Sequence, residues 1–313
     1  MQVLAHHTVG FLGPAGTFSE QAALTQVDLA QARLVPCGSF AEILFAVAEG
    51  DLDVGLVAIE NAIEGTVNVT LDTLAFDVDV LIQREIVLEL RMNLLTQPGA
   101  ELNGITRVAS YPHAYSQCRS WLRQHLGSIE LVQSSSTADA ARLVAESNDP
   151  HLAAVGNARA AEVYGLEIAA NEIEDHVENS TRFAVVAREG IPAPTGHDKT
   201  SLVIFQRADE PGSLLGILQE FAARQINLSL LLSRPTRTTL GDYCFVVDLE
   251  GHISNEVVAD CLTHLKAFQA DVKFLGSYPA GGAARHAARE QFDASMSEAS
   301  NWITRLRSQI STE

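Results

Sequence analysis

A buried strand that ends in a crowded polar segment is the feature that most restricts the fold of this chain. Residues 53–59 are almost continuously apolar, as in a strand covered on both faces. They run directly into Glu60, Asn61 and Glu64. Carboxylates and an amide at the end of a buried strand are costly unless they have partners. Because ligand crevices in open α/β sheets form at such strand ends, this segment predicts a binding or catalytic site in an α/β fold.

A second polar segment ends at Thr181 and Arg182, just before the apolar residues 183–187. The apolar residues predict a short buried strand, so a hydroxyl and a fixed cation would lie at its mouth. Two interpretations of Arg182 remain open. Its guanidinium could bind a ligand carboxylate through two parallel hydrogen bonds, or it could form a salt bridge to Glu178 or Asp175. We expect both polar segments to face one cleft.

Alternating strand and helix patterns predict two α/β lobes that resemble a periplasmic binding protein. Strands are expected at residues 8–12, 34–36, 53–59, 105–110, 129–132 and 152–155, and residues 167–171 are expected to lead back to the first lobe. Helices are expected from residue 17 or 19 to about 29, at 39–49, 67–76, 112–126 and 137–146, and around 158–161. The alternating segment 80–96 suggests a crossover into the second lobe. The lobes are therefore expected at about residues 1–78 with 171–188, and at about 79–170.

A linker rich in proline and glycine, residues 189–198, precedes a compact unit at 199–280. This unit has the βαββαβ order of a ferredoxin-like sandwich. Its elements are expected at residues 200–206, 212–223, 226–233, 242–248, 255–267 and 271–278. The tail, residues 281–313, predicts an amphipathic helix because apolar residues recur at heptad spacing. These residues are Phe292, Met296, Ala299, Ile303, Leu306 and Ile310.

Charge and composition argue against several classes of partner. The formal net charge of −18 disfavours nucleic acid and anionic membranes, which select basic surfaces. Residues 1–10 have neither a basic segment nor a long apolar run, so no secretion signal is expected there. No apolar stretch approaches the roughly 20 residues of a membrane span. The four cysteines lack metal-ligand spacing, which indicates reduced thiols in a cytoplasmic protein and no metal site. Neither GxGxxG nor a Walker pattern occurs, so no nucleotide cofactor is expected.

Taken together, the motifs resemble the prephenate dehydratase family, in which a catalytic region precedes an ACT regulatory domain. The resemblance covers roughly residues 8–279 and rests on residues 13–19, 59–65, 110–118, 136–138 and 179–183. Residues 211–215 and 233–235 resemble the two effector-binding segments of that family's ACT domain. The resemblance implies that prephenate loses carbon dioxide and its ring hydroxyl to give phenylpyruvate, without a cofactor. It also implies L-phenylalanine as effector and a homodimer or homotetramer formed through ACT domains.

The resemblance also assigns roles to individual residues. Catalytic side chains are expected at Thr181, Asn61, Ser110 and Gln117, with the Thr181 hydroxyl as a positioned donor at the leaving group. Substrate-binding residues are expected at Thr17, Phe18, Glu64, Arg182 and Phe183. The helix start after Thr17 could hold a carboxylate, unless residues 13–20 form an ordinary strand-to-helix turn. Effector-binding residues are expected at Gly212, Ser213, Leu214, Leu215, Leu232, Ser233, Arg234 and Pro235.

Some residues depart from the family pattern. Tyr111 and His113 replace the usual histidine and glutamine, and Ala62 replaces a common serine. Leu232 stands where the family has glutamate, which leaves the strength and selectivity of effector binding open, whereas Ser213 for alanine is a smaller change. His113 is expected to lie near solvent, and neither it nor His176 is expected to be catalytic. An arogenate dehydratase and a non-catalytic amino-acid-binding sensor remain alternative functions.

Overall fold

A computed structural model describes residues 3–175, 178–207, 210–237, 242–281, 302–303 and 305–309. The chain divides into two compact units, Met1–Gly281 and Gly282–Glu313. Strands β1 to β15 are Thr8–Leu12, Arg33–Cys37, Val54–Asn61, Gly65–Thr66, Leu81–Glu89, Asn93–Thr96, Arg107–Ser110, Glu130–Gln133, Leu152–Gly156, Glu167–Ala170, Ser180–Ala187, Asp198–Gln206, Leu228–Pro235, Tyr243–Glu250 and Ala270–Pro279. Helices α1 to α10 are Phe18–Leu24, Val27–Ala30, Phe40–Glu49, Asn68–Asp72, Pro112–Gln117, Arg119–Leu126, Thr137–Ser147, Ala158–Tyr164, Ser213–Ala223 and Glu256–His264. Helices α4 and α10 continue as the π-helical turns Thr73–Asp77 and Leu265–Gln269.

The first sheet has the strand order β2-β1-β3-β11-β5, with β4 added at the end of β3. Strands β1, β2 and β3 are parallel, whereas β11 runs antiparallel to both β3 and β5. The sequence placed residues 79 onward in the second lobe, but β5 pairs along its length with β11, from Leu81 opposite Ala187 to Glu89 opposite Ser180. The chain therefore leaves the first sheet only after Glu89.

The second sheet has the order β10-β6-β9-β7-β8, in which β7, β8 and β9 are parallel. Two helices, one beside each of the first two sheets, are more broken than the sequence patterns indicated. The helix expected over residues 112–126 is divided at Cys118, whose backbone lies at φ −115° and ψ 7°. The helix expected to reach residue 29 similarly ends at Thr25, whose hydroxyl donates a hydrogen bond to Ala22 O. Apolar periodicity continues through both breaks, which is why it did not reveal them.

The third sheet has the antiparallel order β13-β14-β12-β15, and α9 and α10 cover one face of it. This arrangement confirms the ferredoxin-like prediction. The other face packs on the first sheet, because Val203, Val246 and Tyr278 share one core with Ala184 and Val186 of β11. Apolar burial therefore joins the third sheet to the first.

Gly276 lets β15 cross β5 at close range. Its φ is +142°, and a Cβ at this position would lie 2.5 Å from Ile82 O. Any larger residue would collide with the backbone of β5, so glycine is required for this contact between the sheets.

Only part of the predicted tail helix is described. Residues 302–303 and 305–307 are helical, whereas Phe292, Met296, Ala299 and Ile310 lie outside the described residues. Within the described part of the chain, no helix has the length and apolar character needed to cross a bilayer. The same residues contain no His, Cys, Asp and Glu cluster that could hold a metal ion.

Candidate active site

The two polar segments singled out in the sequence lie side by side where β3 and β11 pair. Thr181 is directly opposite Asn61 in this antiparallel pair. The Asn61 Nδ2 donates a hydrogen bond to Thr181 Oγ1 at 2.9 Å, and both side chains are buried. The pairing of the strands therefore sets the contact between the amide and the hydroxyl.

A chain of side-chain amides continues from Asn61 into the second sheet's half of the molecule. The Oδ1 of Asn61 accepts from the backbone N–H groups of Ile63 and Glu64, each at 2.9 Å. Its Nδ2 also donates to Asn179 Oδ1 at 3.0 Å, and Asn179 Nδ2 donates to Gln117 Oε1 at 2.9 Å. We call Asn61, Asn179 and Gln117 the amide chain.

Asn179 belongs to the motif at residues 179–183 but was not predicted as a site residue. Its side chain is 1% exposed, a burial that nothing in the polar run around it indicated. The useful signal was the position of Asn179 two residues before Thr181, since alternate residues of a strand share one face.

The other candidate site residues come from the end of β7, the start of α5 and the segment after β3. The Ser110 hydroxyl is fully buried at the end of β7 and donates to Tyr111 O at 3.0 Å. Among the described residues, it makes no hydrogen bond to the amide chain. The Tyr111 ring stacks on His113 with centroids 5.5 Å apart. Nδ1 of His113 lies 3.6 Å from Glu64 Oε1, and both of these side chains are about half exposed.

The start of α1 already holds a carboxylate of the chain itself. Glu20 Oε2 accepts from Gly16 N at 2.5 Å, and Glu20 Oε1 pairs with Arg159 of α8 at 2.9 Å. Thr17 caps the helix, since its hydroxyl donates to Leu12 O at 2.7 Å and accepts from Glu20 N at 3.3 Å. The predicted role of Thr17 in holding a substrate carboxylate does not fit this arrangement.

The two phenylalanines predicted to bind substrate both pack in apolar cores, and their substrate-binding role stays a prediction. Phe18 is partly buried and contacts the cores beside both the first and the second sheet. Phe183 is 2% exposed and belongs to the core on the Thr181 face of the first sheet. Phe183 therefore supports the strand that carries Thr181, and neither ring is held at the cleft by a polar contact.

Arg182 lies on the opposite face of β11 from Thr181. Its guanidinium forms ion pairs with Glu85 of β5 and Asp248 of β14, and its side chain is only 12% exposed. Burial alone would lower the pKa of Arg182, but the charges of Asp248 and Glu85 outweigh it and raise that pKa. The predicted carboxylate-binding role of Arg182 does not fit this placement. The salt-bridge alternative named the wrong partners, because Asp175 instead accepts hydrogen bonds from the first N–H groups of α6.

A pocket of about 560 Å³ lies at the start of α9, beside the third sheet. Most of the predicted effector residues line it, together with Tyr243 and Phe245; they are Gly212, Ser213, Leu214, Leu215 and Ser233. Leu232 and Arg234 alternate with Ser233 along β13 and face the first sheet's half. Arg234 binds Asp72 of α4 through Nε and Nη2 at 2.8 and 2.7 Å. Neither of these two residues nor Pro235 is among the described residues that line this pocket, and their role as effector contacts stays a prediction.

Comparison with protein families gives two matches. Residues 9–191 match the family described as prephenate dehydratase, and residues 200–264 match the ACT domain. A prephenate dehydratase of Mycobacterium tuberculosis is 40% identical over 309 residues, which cover 96% of this chain and 94% of that protein.

Two solved structures are also similar. A prephenate dehydratase of Arthrobacter aurescens in complex with L-Phe is 37% identical, with a TM-score of 0.81 over 95% of this chain and 99% of that one. A protein described as GqqA, a novel type of quorum quenching acylase, is 29% identical, with a TM-score of 0.78 over 87% of this chain and 98% of that one.

Proposed function

The chain belongs to the prephenate dehydratase family and is a hydro-lyase, and we propose that Thr181 donates the hydrogen bond that helps the ring hydroxyl of prephenate depart. The observation that carries the proposal is the 2.9 Å hydrogen bond from Asn61 Nδ2 to Thr181 Oγ1. Because Oγ1 accepts from an amide, the hydroxyl hydrogen of Thr181 is directed to another acceptor. In a buried cleft such a hydrogen bond is stronger than in water.

This role matches the charge that develops in the reaction. The bond between the ring and its carboxylate breaks, its electron pair enters the ring, and the carbon–oxygen bond to the ring hydroxyl breaks. Aromatisation provides the driving force, and negative charge grows on the departing oxygen. A donor aimed at that oxygen stabilises the transition state more than the ground state, which is the condition for catalysis.

The neighbouring donors are neutral, which suits a substrate with two carboxylates. We propose that Gln117 orients prephenate, since its amide can donate without changing the charge of the site. Ser110 can contribute only a hydroxyl oxygen that accepts, because its hydrogen is donated to Tyr111 O. Glu64 is better suited to hold His113, whose Nδ1 lies 3.6 Å from Glu64 Oε1, than to bind substrate. A carboxylate next to the substrate would repel the substrate's own carboxylates.

We further propose that the pocket at the start of α9 binds L-phenylalanine. Leu214, Leu215 and Phe245 offer an apolar wall for an aromatic ring, and the first N–H groups of α9 can receive a carboxylate. The similarity to the Arthrobacter enzyme, described in complex with L-Phe, supports this ligand.

We propose that copies of this chain assemble by pairing their third sheets. β13 is an edge strand of that sheet, and Ser229, Leu231 and Ser233 lie on its exposed face. An unpaired edge next to an effector pocket favours a homodimer or a dimer of dimers formed through ACT domains. The four free cysteines support a reducing compartment such as the cytoplasm.

The proposed activity is tested by incubating the purified protein with prephenate and, separately, with arogenate, without any added cofactor. We expect phenylpyruvate to form and prephenate to be the preferred substrate. Faster turnover of arogenate would reassign the substrate. Phenylalanine binding without turnover would favour a sensor, and hydrolysis of acyl amides without dehydratase activity would point to the acylase activity named for GqqA.

A further inference from the structure

The orientation of every amide in the amide chain is fixed by the backbone. Ile63 N–H and Glu64 N–H both donate to one terminal atom of the Asn61 side chain at 2.9 Å. Only an oxygen can accept two N–H groups, so this atom is Oδ1 and the other is the donor Nδ2. The assignment needs no assumption about side-chain flips, which otherwise have to be inferred from the hydrogen bonds.

That orientation passes from residue to residue. Asn61 Nδ2 has two hydrogens, and its two shortest bonds go to Thr181 Oγ1 at 2.9 Å and Asn179 Oδ1 at 3.0 Å, with Ser180 O farther away at 3.4 Å. With Oδ1 of Asn179 accepting, its Nδ2 must face Gln117, and it donates to Gln117 Oε1 at 2.9 Å. Gln117 is thereby held with its Oε1 toward Asn179 and its Nε2 directed away.

Both ends of the chain consequently present hydrogen-bond donors. Thr181 accepts from Asn61 and keeps its hydroxyl hydrogen, while Gln117 accepts from Asn179 and keeps both hydrogens of Nε2. Among the residues that the structure describes, neither donor has a hydrogen-bond acceptor. We propose that Asn179 is a positioning residue. It holds Asn61, and through it Thr181, on one side of the cleft and Gln117 on the other side, so that Thr181 and Gln117 both present donors toward the substrate. This inference rests on the proposed function.

Asparagine is the residue that this position requires. It must accept from Asn61 and donate to Gln117 at the same time, and it is 1% exposed, so water cannot replace either bond. An ionised aspartate accepts but cannot donate, so the amide of Gln117 would have to turn and present Oε1 to the substrate. A protonated aspartate, in contrast, accepts through its carbonyl oxygen and donates through its O–H, as asparagine does.

The pH–rate profile of Asn179→Asp tests the inference. Burial raises the pKa of a carboxyl above its ordinary value of about 3.9, by up to roughly 3–5 units. We expect kcat at pH 8 to fall by about 100-fold, as for a donor moved by about 1 Å. We expect kcat to recover as the pH is lowered and the carboxyl takes up a proton. Rates are corrected with a blank without enzyme, and near-UV circular dichroism at each pH reports the fold.

Asn93→Asp is the matched control. Asn93 is also buried and its Oδ1 accepts a backbone N–H, that of Glu172 at 3.2 Å, but it lies outside the amide chain. We expect this variant to keep the shape of the wild-type pH profile. The same acid recovery in Asn93→Asp would attribute the effect to charge burial and overturn the inference.

Asn179→Ser covers the case in which the aspartate variant does not fold. A serine hydroxyl is too short to reach both partners and does not ionise, so we expect a loss of kcat without acid recovery. Wild-type kcat in either Asn179 variant at pH 8, or a folded Asn179→Asp whose loss persists on acidification, would contradict the inference. Failure of the wild-type protein itself to convert prephenate would instead contradict the proposed function.

Discussion

Arg182 and Asp248 form a buried ion pair that joins the strand carrying Thr181 to β14 of the third sheet. The pair belongs to a larger polar cluster. Glu85 bridges Arg182 and Lys199, and Ser201 donates from its hydroxyl to Asp248 Oδ1 at 2.5 Å. β14 also pairs with β13, which contributes Ser233 to the α9 pocket. The residue next to Thr181 thus contacts the strand that pairs with β13.

Removing Asp248 should destabilise the protein strongly. In Asp248→Ala the Arg182 guanidinium loses a partner in a site that excludes water, and breaking a buried pair in this way costs about 3–5 kcal/mol. The urea midpoint of unfolding measures the effect. Asp260→Ala is the control, because Asp260 pairs with Arg224 while 69% exposed, and we expect a loss below about 1 kcal/mol. Equal losses in the two variants would contradict the importance assigned to the buried pair.

Leu215→Asp should weaken binding of L-phenylalanine. The substitution removes an apolar wall of the α9 pocket and places a carboxylate where an aromatic ring would pack. Loss of one such contact is worth about 1.5–3 kcal/mol, which corresponds to a roughly tenfold or larger rise in Kd by titration calorimetry. Val27→Asp, at an exposed apolar residue in another part of the protein, should leave the Kd unchanged. An unchanged Kd in Leu215→Asp would move the effector site elsewhere.

The three buried cysteines, Cys118, Cys244 and Cys261, should react slowly in the native protein. Burial raises the pKa of both Cys244 and Cys261 to about 11, and burial also raises the pKa of Cys118. At pH 8 these thiols stay protonated, so a disulfide reagent should label only the half-buried Cys37 before unfolding and all four cysteines after it. Rapid labelling of more than one thiol in the folded protein would be inconsistent with this burial.

The same thiols predict how the stability of the folded protein changes with pH. Their pKa values are higher in the folded state than the roughly 8.5 of an unfolded thiol, so the folded state binds more protons above that pH. Their contribution is fully present below about pH 8.5 and is lost as the pH rises toward about 11. The urea midpoint should fall over this range, and it should fall less in Cys244→Ser.

Patterns local in sequence predicted much of the fold. The structure contains the strand that ends at Asn61 and the βαββαβ order after the linker. Both were predictable because the spacing of apolar residues in each element matches one type of secondary structure. The position of β5 was not predicted, because strand pairing between residues 81–89 and 180–187 depends on contacts far apart in sequence. The core shared by the third and first sheets was not predicted either. In the sequence, apolar residues that face another sheet look the same as apolar residues that face the helices of their own domain.

The sequence predicted that some of the candidate site residues lie together, and their roles stay predictions. Thr181, Asn61 and Gln117 lie within one hydrogen-bonded chain, as the order of the motifs suggested. The direction of Arg182 could not be read from its neighbour Thr181, because adjacent strand residues point to opposite faces and the sequence does not say which face holds the acids. Glu20 was overlooked as the carboxylate at the start of α1, since its partner Arg159 is 139 residues away.

Turnover of prephenate by Thr181→Ala, compared with Thr181→Ser, tests the central claim most directly. Serine keeps a hydroxyl that can accept from Asn61 and donate to the leaving oxygen, so kcat should stay within about tenfold of the wild type. Alanine removes the donor, and kcat should fall by about 10²–10³-fold with the fold intact, as for loss of one transition-state donor in other enzymes. A folded Thr181→Ala enzyme that converts prephenate to phenylpyruvate at close to the wild-type kcat would contradict the account.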